Sequence, residues 1–216
     1  MVQQERAART RQALLRAAAE TFDREGFIPS ALSGISDRAG VSKGALHFHF
    51  TNKAGLARAV EREAGTALRA IVGKALTDPP PTLQRLVDAT YALAALLRED
   101  VVVRAGFRLC CERTRPPEGP YAQWERFVAR MLERADAEGS LTHAVGAREA
   151  GQAIVAATTG FELLGRYDSR WLSAPSLAAF WSLLLPHLAT EPVRDRLRLG
   201  EVDKVGEVAG AAAARA

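Results

Sequence analysis

The sequence predicts an all-α chain in two parts, a small three-helix N-terminal domain followed by a larger helical one. Three observations carry this. Apolar residues recur at spacings of three and four from about residue 5 to residue 188, as helices with one buried face require. No segment alternates apolar and polar residues long enough for a credible strand, and no repeat is visible. Residues 30–50 hold two very short helical patterns joined at Gly40, the layout of a helix-turn-helix.

Taken in order, a first helix over 5–25 places Leu14, Leu15, Ala18 and Phe22 on one face and Arg6, Arg9, Arg11, Arg16 and Arg24 on or near the others. Gly26 ends it and Phe27 folds back towards the core. Ser30 suits the N-cap of a second helix that turns Leu32, Ile35 and Ala39 inward. Gly40 occupies a left-handed cap position, and Val41 plugs the small core under the turn. Ser42 caps a third helix whose Leu46 and Phe50 face inward one turn apart. Thr51 or Asn52 caps a fourth, about Ala54 to Leu76, which stops before the Asp78–Pro81 run. A fifth covers Thr82 to Arg98, and Asp100 caps a sixth from Val101 to Glu112. A loop over 113–119 leads to a seventh, Tyr121 to Glu138, ended by Gly139. An eighth runs from Ala147 to Tyr167, a ninth from Ser176 to Leu188, and Pro192 to Leu199 adds a short tenth. The expected domains are therefore 1–52 and 53–200, with 201–216 a flexible alanine-rich tail.

The third helix is left with Ser42, Lys43, Gly44, Ala45, His47 and His49 outside. Gly44 and Ala45 let another surface approach the backbone closely, and beside Lys43 they suit base edges and thymine methyl groups in a DNA major groove. Lys53, in the first turn of the fourth helix, opposes the helix dipole. Its presence there points to an external anion, a phosphate held between the ammonium and the free N–H groups of that turn. The same stretch also admits a blander reading, since His47–Phe50 alternates like a half-buried strand and Lys-Gly pairs are common in loops.

Residues 10–22, Gly26-Phe27, Ile35, the run from Ala39 to Gly44, Phe48 to Phe50 and Lys53 together resemble the tetracycline-repressor (TetR) family of bacterial regulators. These motifs cover about the first quarter of the chain. The resemblance implies that the third helix is the recognition helix, with Lys43, Gly44, Ala45 and His47 facing DNA and Lys53 on a phosphate. Residues 44–50, Val102 to Leu109 and Tyr121 to Trp124 narrow it to the γ-butyrolactone autoregulator receptors of streptomycetes. His47 stands where most of those relatives have tyrosine, and Gly34 where many have an acidic residue. A histidine at 47 is similar to the pseudo-receptors, which answer to antibiotics or biosynthetic intermediates.

Composition agrees without demanding this. The formal charge of +4 in 216 residues permits a polyanionic partner. Residues 1–53 hold eight Arg or Lys against five Asp or Glu, so most of the excess lies in the proposed DNA-binding part. Arg16 and Glu20 interrupt the N-terminal apolar run, and Ala174–Leu188 is too short for the ~20 residues of a membrane span. A cytoplasmic protein is expected. Cys110 and Cys111 are adjacent, about 3.8 Å between Cα atoms, which is too close for an ordinary disulfide. No metal-ligand spacing occurs, so no cofactor or metal is expected. Four histidines without an acid–base pair, and no phosphate-binding glycine loop, argue against an enzyme.

In the second domain Trp124 stands out. At helical spacing with Phe127 and Met131 it reads as core; by resemblance it reads as one wall of a ligand cavity, its indole N–H offered to a buried carbonyl. Phe107, Leu86, Val87, Tyr91, Phe127, Val128, Thr158 and Phe161 are its expected neighbours. Thr158 supplies either a polar group to that cavity or a bond to its own helix. Gly151, Ala153, Ala157 and Gly160 make the eighth helix small-sided, and Leu177, Phe180, Trp181 and Leu184 line the ninth. These faces pack within the chain or, as the resemblance implies, pair with their copies in a homodimer. A dimer is what a helix-turn-helix needs to read a palindrome. The expectation is a repressor on operator DNA released by a small hydrophobic effector. The alternative is a DNA-binding dimer without an effector.

Overall fold

The computed structural model describes residues 2–77, 81–112 and 119–200. The expected proline-rich stop at 78–80, most of the loop at 113–119 and the tail from 201 lie outside the described residues. Among the described residues ten α-helices follow one another: α1 (Val2–Glu25), α2 (Leu32–Arg38), α3 (Lys43–His49), α4 (Lys53–Thr77), α5 (Thr82–Glu99), α6 (Val101–Glu112), α7 (Pro120–Ala137), α8 (Ala147–Gly165), α9 (Ala174–Leu188) and α10 (Glu191–Arg194). The eighth helix ends earlier than its apolar pattern suggests, because a 3-10 turn, Ser169–Leu172, capped by Asp168, follows it. Among the described residues the extended pairing is a single antiparallel bridge, Leu141 with Ala189.

Side-chain caps open α3, α4, α6 and α9. Asp100 Oδ1 accepts from the Val102 N–H at 2.7 Å, opening α6 at its expected residue. Asn52, rather than Thr51, caps α4 by accepting from the Gly55 N–H at 2.8 Å. Ser30 does not cap α2. That position falls to Ala31 with no side-chain bond, while the buried Ser30 hydroxyl donates to the Phe27 carbonyl at 2.7 Å and closes the preceding turn.

The chain divides into two compact units, and the division differs from a cut at residue 52. One unit joins the chain up to Leu68 with Asp100–Gln123; the other joins Arg69–Glu99 with the chain from Trp124 onward. In the first, α6 shares one core with the N-terminal helices. Leu14, Leu15 and Phe22 of α1, Ile35, Leu46, Phe50, Leu56 and Val60 pack with Ala105 and Leu109 of α6. Gly106 marks how closely α6 approaches α4, since a Cβ there would lie 2.3 Å from that of Ala64. The second unit is built from α5, the rest of α7, α8 and α9 around Leu83, Leu86, Phe127, Leu132, Ile154 and Trp181. No described helix is long and apolar enough to cross a membrane.

Candidate nucleic-acid interface and buried indole sites

The α2–turn–α3 motif is formed as the spacing suggests. Gly40 takes φ +66, its N–H reaching the Asp37 carbonyl and that of Val41 the Ser36 carbonyl, both at 3.1 Å. Ser42 Oγ accepts from the Ala45 N–H at 3.1 Å and opens α3. Leu46 and Phe50 are buried, so α3 is pinned by one edge. Ser42, Lys43, Gly44 and His47 are exposed, and Ala45 and His49 half-buried. A Cβ added to Gly44 would meet nothing nearer than Ser42 Oγ at 3.9 Å, so no packing inside the chain asks for glycine there.

Two features of this face were not foreseen. Phe48 is 81% exposed and stands edge-on to the His49 ring at 5.1 Å. Its position two residues beyond buried Leu46 was the available signal, because two helical steps of ~100° turn a side chain almost to the opposite face. Lys53 is the second. Its ammonium donates to the carbonyls of Phe27 (2.8 Å), Ile28 (3.0 Å) and Ser30 (2.8 Å) and lies 4.6 Å from the Phe27 ring centroid. All three N–H donors are used within the chain. The cation that opposed the dipole of α4 is therefore held by internal carbonyls, which departs from the expected free ammonium aimed at a phosphate.

In the second unit Trp124 is 1% exposed. Its Nε1 donates to Thr158 Oγ1 at 2.9 Å, and that hydroxyl donates to the Ile154 carbonyl at 2.8 Å. Thr158 thus bonds its own helix, one of the two roles the sequence offered, and accepts from the indole as well. Phe127 lies 5.3 Å from Trp124, ring to ring, and Leu86, Val87 and Val128 are fully buried in the same unit. Trp181 repeats the arrangement: its Nε1 donates to Thr90 Oγ1 at 2.9 Å, and Thr90 donates to the Val87 carbonyl at 2.7 Å. Tyr91 is buried, and its hydroxyl finds no partner of acceptable geometry among the described residues. Burial pushes its phenol above the usual 10.0, and the Asp88 charge adds to the rise while the nearby Gly200 backbone opposes it.

Two further residues of the expected set make ring contacts of their own. Phe107 belongs to the first unit, its ring 4.9 Å from Tyr121. Phe161 is half-buried in an aromatic group with Trp171 (6.4 Å) and Phe180 (5.8 Å).

The two small-sided and apolar faces also sort themselves. Gly151 is buried, a Cβ there falling 3.4 Å from Leu132, and Leu177 and Trp181 are buried with Leu185 in their own unit. Ala153 stays exposed, and Ala157, Gly160, Phe180 and Leu184 are half-buried. The same unit also exposes Leu163 (46%), Leu164 (40%), Tyr167 (86%), Trp171 (42%) and Leu183 (77%), which the sequence pattern does not single out. On α9, positions 177, 181, 185 and 188 form one stripe and 180, 183 and 184 the next. Both are apolar, so periodicity alone does not say which faces the core. Neither Cys110 nor Cys111 is in a disulfide, the first being buried and the second exposed. No described group of His, Cys, Asp or Glu could hold a metal ion.

Residues 14–60 match the family model for bacterial regulatory proteins of the tetR family. The chain is 34% identical over 191 residues to the A-factor receptor protein of Streptomyces griseus, covering 88% of this chain and 67% of that one. The fold superposes on a crystal structure of a gamma-butyrolactone receptor (ArpA-like protein) with a TM-score of 0.79 at 28% identity, over 88% of this chain and 94% of that one. It also matches CprB from Streptomyces coelicolor in complex with its biological operator sequence, with a TM-score of 0.75 at 28% identity, over 94% of this chain and 98% of that one.

Proposed function

Because the chain belongs to the tetR family of bacterial regulatory proteins, we propose that it is a ligand-responsive repressor. In this reading it binds palindromic operator DNA as a homodimer and is released by a small, largely apolar signal. The carrying observation is α3. A Ser42-capped helix of seven residues is anchored by Leu46 and Phe50 and turns Lys43, Gly44, His47 and Phe48 to solvent. Short side chains beside a cation and an aromatic suit close approach to base edges and thymine methyls. Ser42, Ala45 and His49 complete the DNA-facing set, and Lys53 supports it from behind.

Dimerisation places two such helices one major-groove repeat apart. The partly exposed apolar stripe of α8 and α9, through Ala153, Ala157, Gly160, Phe180 and Leu184, is the surface for it. The effector site is the buried group around Trp124, Thr158 and Tyr91, with Leu86, Val87, Phe127 and Val128. Tyr91 offers the hydroxyl that is not already used, and a ligand carbonyl would compete with Thr158 for the indole N–H. Such a ligand must bind the DNA-incompetent state more tightly, since equal affinity for both states shifts nothing. The receptors named above support a γ-butyrolactone-type signal; His47 inclines the choice to an antibiotic or biosynthetic intermediate, with control of secondary metabolism the corresponding role. The satisfied Trp124–Thr158 pair favours a second reading, an effector-independent DNA-binding dimer.

The test begins by selecting duplexes from a randomised pool with the full chain. The chain is expected to select a palindrome, and acyl-bearing γ-butyrolactones or a panel of polyketide antibiotics should release it in a mobility-shift titration. Release by lactones but not antibiotics would overturn the preference drawn from His47. Release by neither class would favour the effector-independent dimer.

A further inference from the structure

The turn between α1 and α2 is held from two sides at one residue. Gly26 closes α1 with φ +85, its N–H on the Phe22 carbonyl at 2.9 Å. The next amide, that of Phe27, donates to Glu112 Oε2 at 2.6 Å. The carbonyl of the same Phe27 accepts from Lys53 Nζ. Glu112 is the last residue of α6 and Lys53 the first of α4. Position 26 favours glycine because the dihedral is left-handed, and a Cβ there would press on the Glu112 carboxylate, 2.8 Å from Oε1. Arg108 Nε holds that oxygen at 2.6 Å, and Arg104 bonds Asp23, four residues before Phe27, at 3.1 Å. One edge of α6 therefore grips the end of α1. The Lys53 ammonium continues past Phe27 to the Ser30 carbonyl, two residues before α2 begins.

Charged donors and acceptors on backbone groups make stronger bonds than neutral pairs, so this corner is fastened by two of them. Both fasteners lead out of the reading head. α4 continues beyond Leu68 into the second unit, and α6 is joined to that unit at Glu99–Asp100. We propose that the Gly26–Ser30 corner is the joint at which α4 and α6 set the position of α2 and α3, with Lys53 and Glu112 as its positioning residues. A displacement of either helix moves the Phe27 peptide, and Ser30 with it. This inference rests on the regulator reading above. It differs from a phosphate role for Lys53, because a latch alters specific docking without removing a cation–phosphate contact.

The experiment uses the full chain, the duplex selected by the wild type, and an unrelated duplex of equal length. Lys53→Met and Glu112→Ala are each expected to weaken binding to the selected duplex at least tenfold. Binding to the unrelated duplex and the dependence of affinity on salt should stay as in the wild type. Glu112→Gln retains an oxygen that can accept from Phe27 and should stay within threefold of the wild type. Hydrogen exchange of the Phe27 amide should accelerate in Glu112→Ala and not in Glu112→Gln. The double variant Lys53→Met/Glu112→Ala should lose less than the product of the two single losses, as residues acting through one element do. A salt dependence flatter by about one charge in Lys53→Met would return that lysine to a phosphate and overturn the latch. So would a Glu112→Ala variant that exchanges freely at Phe27 yet binds the selected duplex as the wild type does. A wild-type chain that selects no duplex removes the regulator reading and this inference together; the other outcomes act on the inference alone.

Discussion

The two units treat their functional candidates in opposite ways. In the first, α3 leaves Lys43, His47 and an 81%-exposed Phe48 facing water, with the chain supplying little cover for them. In the second, both buried indoles are bonded to a threonine that is bonded in turn to its own helix. One exposed aromatic is ordinary on a protein surface; beside an exposed lysine and a glycine that no internal packing asks for, it suits the close approach of a partner. A satisfied buried pair gives no such indication, because a core and a closed ligand site obey the same rule that buried donors be bonded. Exposure therefore argues for the reading head, while the effector site depends on the resemblance and on the Tyr91 hydroxyl.

The largest expected effect tests the part of the second unit that behaves like the first. Ala157 and Leu184 lie on its outward apolar stripe, so Ala157→Glu combined with Leu184→Glu should dissociate the dimer and abolish palindrome binding together. Sedimentation and mobility shift check this on one sample, and a wild-type chain that sediments as a monomer at micromolar concentration would break the comparison at its root.

Next come the two indoles. Trp181→Ala should cost ~3–5 kcal/mol in denaturant unfolding, the usual range for emptying a packed aromatic site. Trp124→Ala should cost the same if its surroundings are packed equally well. If it costs distinctly less while operator binding survives and effector release is lost, the site around Trp124 yields to a ligand and the comparison sharpens into core against sensor.

The smallest effect belongs to the exposed face. Lys43→Ala should weaken operator binding by ~1–3 kcal/mol and leave the melting temperature where it was, since its ammonium makes no hydrogen bond or ion pair among the described residues. A fall in melting temperature, with affinity unchanged, would move Lys43 from the interface into the fold.

The extents of α4 to α7, the Asp100 cap of α6, the left-handed Gly40 and the exposure of Lys43, Gly44 and His47 on α3 were legible in the sequence, whereas the 3-10 turn that shortens α8 and the four-residue length of α10 were not. Each legible feature rests on interactions within a few residues: a 3.6-residue period, a carboxylate two positions before a free N–H, a dihedral that favours glycine. Tertiary structure decided what lies further along the chain. Lys53 finds its acceptors 23 to 26 residues away and Glu112 its donor 85 away, so no local pattern could distinguish a latch from a phosphate contact. The grouping of α6 with the N-terminal helices is made by packing between distant segments, chiefly α6 against α1. On α9, two adjacent stripes are equally apolar, and only the packing of Trp181 onto Thr90 decides which turns inward. Periodicity specifies that a face is buried; the partner that buries it is chosen by contacts between distant segments.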